Sequence, residues 1–370
     1  MNFKKDLPLT SSHWGTYRAK VKDGKVKELI GWENDKDPSP IGQGIVDVHN
    51  HQTRIDTPMI RKSWMDKGPG SNNSLRGTDP FISISWDEAE KIVSNELNRV
   101  KNDFGNASIF GGSYGWASAG RFHHAQSQLH RFLNCIGGYT RSKFTYSFAA
   151  AEAMVPHILG SYRAFLDTCT SWDSIEENTK LFICFGGVPL KNGQIAQGGT
   201  GSHKQKEKLI RSANAGIKFV NFSPLKSDLL DEVNGEWLAL RPNTDVAIML
   251  GLAHTLYKEK LYDDKFIEKY TEGFDTFLPY LQGDIDGIVK DANWASSISE
   301  IPSEKIISLA KEMSSKRTMI SVSWSLTRQD HGEQPFWAAI MLASMLGQIG
   351  LPGGGFGFGY SATNHIGGQF

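Results

Sequence analysis

The chain has 370 residues, with 40 Lys+Arg balanced by 40 Asp+Glu, so its formal charge is zero and no basic block offers a nucleic-acid or anionic-membrane surface. Its 39% hydrophobic and 22% charged residues fit a globular protein of two or more domains and not a disordered one. Cys135, Cys169 and Cys184 are too scattered for a disulfide framework and form no C-x-x-C pair, which argues against structural zinc or an N-terminal iron–sulfur centre; no apolar run reaches the ~20 residues of a membrane span.

Residues 12–55 read as short strands and turns. Alternation on either side of Asp23 and Gly24 predicts a hairpin, and Pro38 and Pro40 mark a loop. Ser85 followed by Glu88 predicts a helix N-terminus for the stretch EAEKIVSNELNRVKNDFG. Residues 107–110 read as a short strand that turns at GGSYGW. Phe122, Ala125, Leu129, Leu133 and Ile136 then recur at helical spacing until Gly137. The helix AAAEAMVPHILG follows Ser147 and is expected to kink or end near Pro156; from spacing alone Ser147 reads as its N-cap.

Residues 180–330 read as open α/β. The apolar runs 181–186, 217–224 and 318–324 are strands. Helices are expected over 203–216 and 244–257, near 264–272 and 303–314, and over 334–350. Such alternation implies a parallel sheet with right-handed crossovers, and ligands beyond the carboxyl ends of its strands.

The 38 glycines and 10 tryptophans stand out, and the glycines cluster where strands end. The exits carry Tyr114 and Trp116 among glycines, Lys191 and Asn192 after Gly186 and Gly187, Ser223 with Lys226, and Trp324 and Ser325 with Arg328. Loops that mix glycine, hydroxyl, amide and cation suit phosphate and ribose groups. Tyr114 and Trp116 sit in a glycine turn, a poor place for core aromatics and a good one for lining a pocket with an O–H and an N–H. No G-x-G-x-x-G follows a strand and no Walker A loop is present; GGGFGFG at 353–359 has such glycine spacing but precedes no helix. His123, His124 and His130 share one helix, yet no acidic residue stands at ligand spacing, and no Ser-His-Asp or Cys-His signature is found.

SSHWGTY (11–17), TRIDTPMIRKSW (53–64), ISWDEA (84–89), FGGSYGW (110–116), NCIGGYT (134–140), TYSFAAAE (145–152), RPNTDVAIMLGLAHTL (241–256), SWSLTRQDHGEQPFW (323–337) and MLGQIGLPGGGFG (345–357) occur in one order. Together they resemble the dimethyl-sulfoxide-reductase family of molybdopterin oxidoreductases, nearest its biotin-sulfoxide and trimethylamine-N-oxide reductase branch. The resemblance implies molybdenum held by two molybdopterin guanine dinucleotides, without an iron–sulfur cluster. It assigns Ser147 as the metal ligand, in place of the N-cap reading. Tyr114 and Trp116 match aromatics that hydrogen-bond the oxo group or the substrate oxygen. Trp116, Lys191, Asn192, Ser223, Asn243, Thr244, Asp245, Trp324, Ser325 and Arg328 match positions that touch the dinucleotides. The chain departs from the pattern in GGVPLKNGQ and in carrying Ser223 where Asn commonly precedes Pro. Family catalytic subunits run to roughly twice this length, so a truncated N-terminal half is expected, without the closing β-rich domain.

The expected fold is therefore α/β. A β-rich segment spans 1–55 and an α/β domain with the metal site spans 56–160. A doubly wound, mainly parallel-sheet dinucleotide domain spans 161–340, and 341–370 begins a return segment. The expected reaction is two-electron reduction of a small S-oxide or N-oxide in the cytoplasm, fed by an unnamed electron donor. A non-catalytic fragment that binds the cofactor only partly, and a nicotinamide dehydrogenase, stand as alternatives; the missing glycine fingerprint counts against the second.

Overall fold

The structure is a computed structural model, described for residues 6–49, 51–71, 73–112, 124–196 and 198–368. The chain divides into two compact units. One comprises residues 1–10, 17–30 and 40–143, and the other 11–16, 31–39 and 144–370.

Strands β1 (Leu9–Ser12), β2 (Gly15–Lys22) and β3 (Lys25–Gly31) form a three-stranded sheet. The β2–β3 turn is the expected one: Asp23 at φ 54° and Gly24 at φ 70° give the two positive angles of a tight hairpin. The first unit continues through α1 (Ile41–Val48), β4 (Met59–Arg61), α2 (Lys62–Lys67), β5 (Phe81–Ser83) and α3 (Trp86–Phe104). Ser85 and Glu88 close a reciprocal capping box at the start of α3, as the sequence predicts. This 19-residue helix buries none of its residues. The strand expected at 107–110 is mostly a 3-10 turn, Asn106–Ser108, because Asn106 turns its amide onto the carbonyls of Ile136 and Gly138. Only β6 (Phe110–Gly111) pairs, in parallel with β7 (Thr140–Arg141), which follows α4 (Ala125–Cys135).

The second unit opens with α5 (Ala149–Leu159), α6 (Tyr162–Asp167) and α7 (Trp172–Asn178). Helix α5 continues through Pro156 for three more residues, and Gly160, at φ 80°, stops it. Its N-cap is Phe148 and not Ser147, so the spacing-based N-cap reading of Ser147 is corrected.

The chain then alternates: β8 (Leu181–Phe185), α8 (Gln205–Asn214), β9 (Lys218–Phe222), β10 (Glu236–Leu238) and α9 (Asp245–Lys258). After α10 (Asp264–Tyr270), α11 (Phe274–Gln282), α12 (Ala292–Ser299) and α13 (Ser303–Ser315) come β11 (Thr318–Val322), α14 (Gln334–Met345) and β12 (Gly355–Phe358). The five strands pair in the order β10-β9-β8-β11-β12, every neighbour parallel. This is the doubly wound arrangement the sequence led us to expect, with two strands it did not signal, β10 and β12.

Side chains explain the layers. In β8, Leu181, Ile183 and Phe185 face the core built with α9, α12, α13 and α14, while Phe182 and Cys184 face Trp172 and Leu209 on α7 and α8. A strand buried on both faces needs an unbroken apolar run, and β8 and β11 are buried at every position. Phe185 and Phe222 stack across β8 and β9 with ring centroids 4.9 Å apart. Burial of each such ring stabilises the sheet by about 1.5–3 kcal/mol. Among the described residues no helix is long and apolar enough to cross a membrane.

Candidate cofactor site

The strand order reverses between β8 and β11: the chain leaves β8 for β9 and β10 on one side, and β11 and β12 extend the other. In an open α/β sheet that switch point, at the carboxyl ends, is where a crevice forms. The loops after β8, β9, β10 and β11 all leave from this edge, and between them they carry Lys191, Asn192, Ser223, Asn243, Thr244, Asp245, Trp324, Ser325 and Arg328.

Close backbone approach governs the β8 exit. Gly186 and Gly187 have φ of 81° and 76°. A Cβ on Gly186 would lie 2.8 Å from Ser323 Cβ, and one on Gly187 2.5 Å from both Asp228 Cβ and the Asp228 carbonyl oxygen. Only glycine fits there. The β8 exit is thereby held against the β11 exit on one side and the β9 exit on the other.

The β9 exit is organised by a residue that the sequence did not bring to notice, Asp228. Its Oδ1 accepts from Lys191 Nζ at 3.1 Å and its Oδ2 from Ser223 Oγ at 2.7 Å. Its main-chain oxygen accepts from Val188 N–H at 2.7 Å. Ser223 is fully buried, and its carbonyl takes the Trp237 indole N–H at 2.8 Å. An Asp five residues after a strand-end serine is the one available signal, and it is a weak one. Lys191 is exposed and Asp228 nearly buried, so the ammonium is tethered at its base of operation while its remaining protons face outward.

At the β10 exit Asn243 takes a left-handed φ of 66°, and the Thr244 hydroxyl donates to the Arg241 carbonyl at 2.6 Å. The chain then enters α9 at Asp245, which is buried. Burial pushes the Asp245 carboxyl from 3.8 up to about 6, against the pull of its own N–H and of Gln329. Its Oδ1 has no hydrogen-bond partner among the described residues.

At the β11 exit Ser325 Oγ donates to Ser323 Oγ at 3.0 Å, Arg328 is exposed, and the Trp324 indole N–H is buried without a partner among the described residues. Thr327 Oγ1 donates to the carbonyls of Trp324, at 2.8 Å, and Ser147, at 3.1 Å. Phe148 lies between the rings of Trp324 and Tyr162, at 4.3 Å and 5.7 Å. Ser147 is thus brought to the same loop as Trp324, Ser325 and Arg328. Tyr114 and Trp116 lie outside the described residues, as does His123. Among the described residues no three His, Cys, Asp or Glu side chains gather to hold a metal, and His130 instead stacks on Tyr139.

The molybdopterin oxidoreductase family model matches residues 54–368, and the N-terminal domain model of the same oxidoreductases matches residues 10–48. The chain belongs to the molybdopterin oxidoreductase family. It is 42% identical over 352 residues to a dimethyl sulfoxide/trimethylamine N-oxide reductase of Rhodobacter capsulatus, covering 95% of this chain and 42% of that one. It is 43% identical over 337 residues to a biotin sulfoxide reductase of Cereibacter sphaeroides, covering 91% and 45%. A trimethylamine-N-oxide reductase of Haemophilus influenzae is 39% identical over 356 residues, covering 96% and 43%. The chain therefore spans less than half the length of the curated relatives it matches. The fold resembles that of acetylene hydratase from Pelobacter acetylenicus, with a TM-score of 0.61 at 19% identity over 92% of this chain and 44% of that one.

The family implies a molybdenum–molybdopterin cofactor, and the residues at the switch-point edge fit a large polar ligand. Asp245 Oδ1 and Trp324 Nε1, one acceptor and one donor, are buried without partners among the described residues, a state that costs about 1–3 kcal/mol per group unless a ligand or water completes it.

Proposed function

We propose that this chain carries the metal-ligand segment and much of one dinucleotide cradle of a molybdenum oxidoreductase that reduces a small S-oxide or N-oxide. The substrate class is that of the relatives, which are reductases of S-oxides or N-oxides, and it comes to this chain by likeness. One observation supports the site: nine candidate contacts from four consecutive exits share the edge where the strand order reverses.

We read the cofactor as two molybdopterin guanine dinucleotides with no iron–sulfur cluster. When bound, it supplies the two-electron chemistry by which the oxide oxygen leaves as water. The Lys191 ammonium and the Arg328 guanidinium bind phosphate oxygens. Asp245 accepts from the N–H groups on the edge of a guanine, and Trp324 donates its indole N–H. Ser147 supplies an oxygen to the metal, and the Thr327 hydroxyl fixes its backbone. By likeness to the family alone, Tyr114 is assigned a hydrogen bond to the substrate oxygen and Trp116 a contact with the cofactor or the substrate oxygen. An external donor supplies electrons, and a cytoplasmic address is part of the same proposal.

The test is metal analysis and guanine-nucleotide release on the longest natural chain. About one molybdenum and two guanine nucleotides per chain are expected from the proposed stoichiometry. A purified protein with no molybdenum, or with unchanged metal content and oxygen transfer after Ser147→Ala, refutes the assignment.

A further inference from the structure

Asp35 and His203 form a buried pair in the second unit that no catalytic role has absorbed. Their side chains are 0% and 2% exposed. His203 Nε2 lies 2.8 Å from the Gln194 carbonyl oxygen and Nδ1 2.7 Å from Asp35 Oδ2. A carbonyl oxygen only accepts, so Nε2 must carry a proton. Asp35 Oδ1 already accepts the backbone N–H groups of His203 and Asp37, at 2.9 Å and 3.2 Å. One further proton must then lie between Oδ2 and Nδ1, so both ring nitrogens face acceptors across a proton. Whether that proton is held by Nδ1 or by Oδ2, both ring nitrogens are hydrogen-bonded in a dry site, and losing either bond is costly.

The ring's partners show what the pair holds. Gln194 is gripped twice, at its carbonyl by His203 and at Oε1 by the Ser39 hydroxyl at 2.7 Å. Gln194 follows Asn192 by two residues in the long β8 exit. The same exit is fastened at the Pro189 carbonyl by Ser361 Oγ at 3.1 Å and at the Ser202 carbonyl by Asn364 Nδ2 at 2.7 Å. Thr200 Oγ1 donates to the His13 carbonyl at 2.9 Å. Of these ties, Asp35–His203 is the one that joins two ionisable side chains, both enclosed.

We propose that Asp35 and His203 are positioning residues: a buried, proton-bridged pair that sets the β8 exit, and with it Lys191 and Asn192, in place to receive the phosphates of a guanine dinucleotide. The last clause rests on the function proposed above; the clamp itself does not.

Two near-isosteric substitutions separate the bonds. His203→Gln retains a donor near the Nε2 position and loses the one facing Asp35; His203→Asn does the reverse. Hydrogen exchange of the backbone amides over 190–203 is expected to rise about tenfold or more in each, the response to losing one buried hydrogen bond. Amides of β8 should be unchanged. In spectra of the chain labelled with nitrogen-15 histidine, one ring should show a slowly exchanging Nε2–H, and His203→Gln should remove that signal. A wild-type His203 ring without a protected Nε2–H, or amide exchange that stays unchanged or rises uniformly, overturns the clamp. Guanosine diphosphate serves as the probe for the last clause. Weaker binding by both variants supports positioning for a dinucleotide, and equal binding refutes it. If the wild-type chain does not bind the probe, the dinucleotide reading of this loop falls while the exchange data still decide the clamp.

Discussion

Replacing Asp245 by Asn should make the chain more stable at neutral pH and less able to hold a guanine nucleotide. Burial raises the carboxyl from 3.8 to about 6 in the folded chain, while the unfolded chain keeps the ordinary value. Across that window the folded state holds a proton that the unfolded state has lost, so stability falls as pH rises from about 4 to about 6. The shift is worth about 3 kcal/mol, fully expressed above the folded value and absent below the unfolded one. Asn has nearly the same shape and no charge to bury. Asp245→Asn should therefore match the wild type near pH 4 and exceed its stability by up to about 3 kcal/mol above pH 6. A guanine edge that donates to the carboxylate favours its ionised form, so wild-type affinity for guanosine diphosphate should rise with pH through about 6. The variant, with one acceptor replaced by a donor, should bind more weakly and without that pH dependence. Urea unfolding and calorimetric titration from about pH 4 to about pH 8 read both effects. A stability difference that stays constant over that range would refute the buried-charge argument.

Three further outcomes follow from the same geometry. Gly187→Ala puts a Cβ 2.5 Å from Asp228 at a φ of 76°, and should lower the urea unfolding free energy by about 2–4 kcal/mol from strain and overpacking together. Lys191→Ala removes the exposed partner of an ion pair whose Asp228 carboxylate keeps the Ser223 hydroxyl, and should change stability by less than about 1 kcal/mol. It should nevertheless weaken guanosine diphosphate binding about tenfold, which titration calorimetry measures, because a charge-assisted phosphate contact is lost. Phe336→Ala empties a fully buried position against Phe358 and should cost about 3–5 kcal/mol in urea unfolding with no direct effect on the site's charges.

What the sequence revealed, and what it hid, follow from two kinds of signal. Strands β8, β9 and β11 were legible because both their faces are buried, which demands an unbroken apolar run. Strand β12 was not, because its sequence is GFGF. Glycine there is a packing requirement: a Cβ on Gly357 would run into the Tyr360 ring, while Phe356 and Phe358 fill the core between. Strand β10 is three residues at the sheet edge, too short to set a period. The candidate site divides the same way. Cations and hydroxyls at strand ends could be picked out by position, since each exit comes soon after an apolar run. Asp228 and the Asp35–His203 pair could not: Asp228 holds Lys191 across 37 residues and Asp35 holds His203 across 168, and no local spacing records such contacts. Ser147 shows the limit most plainly. Locally it is a serine ahead of an apolar helix, which argues for a cap, yet the helix caps one residue later and the Ser147 backbone is bonded to Thr327, 180 residues away. The candidate contacts at the strand ends could be picked out from the sequence. The residues that fix where these contacts point became visible only when the sheet brought distant segments together.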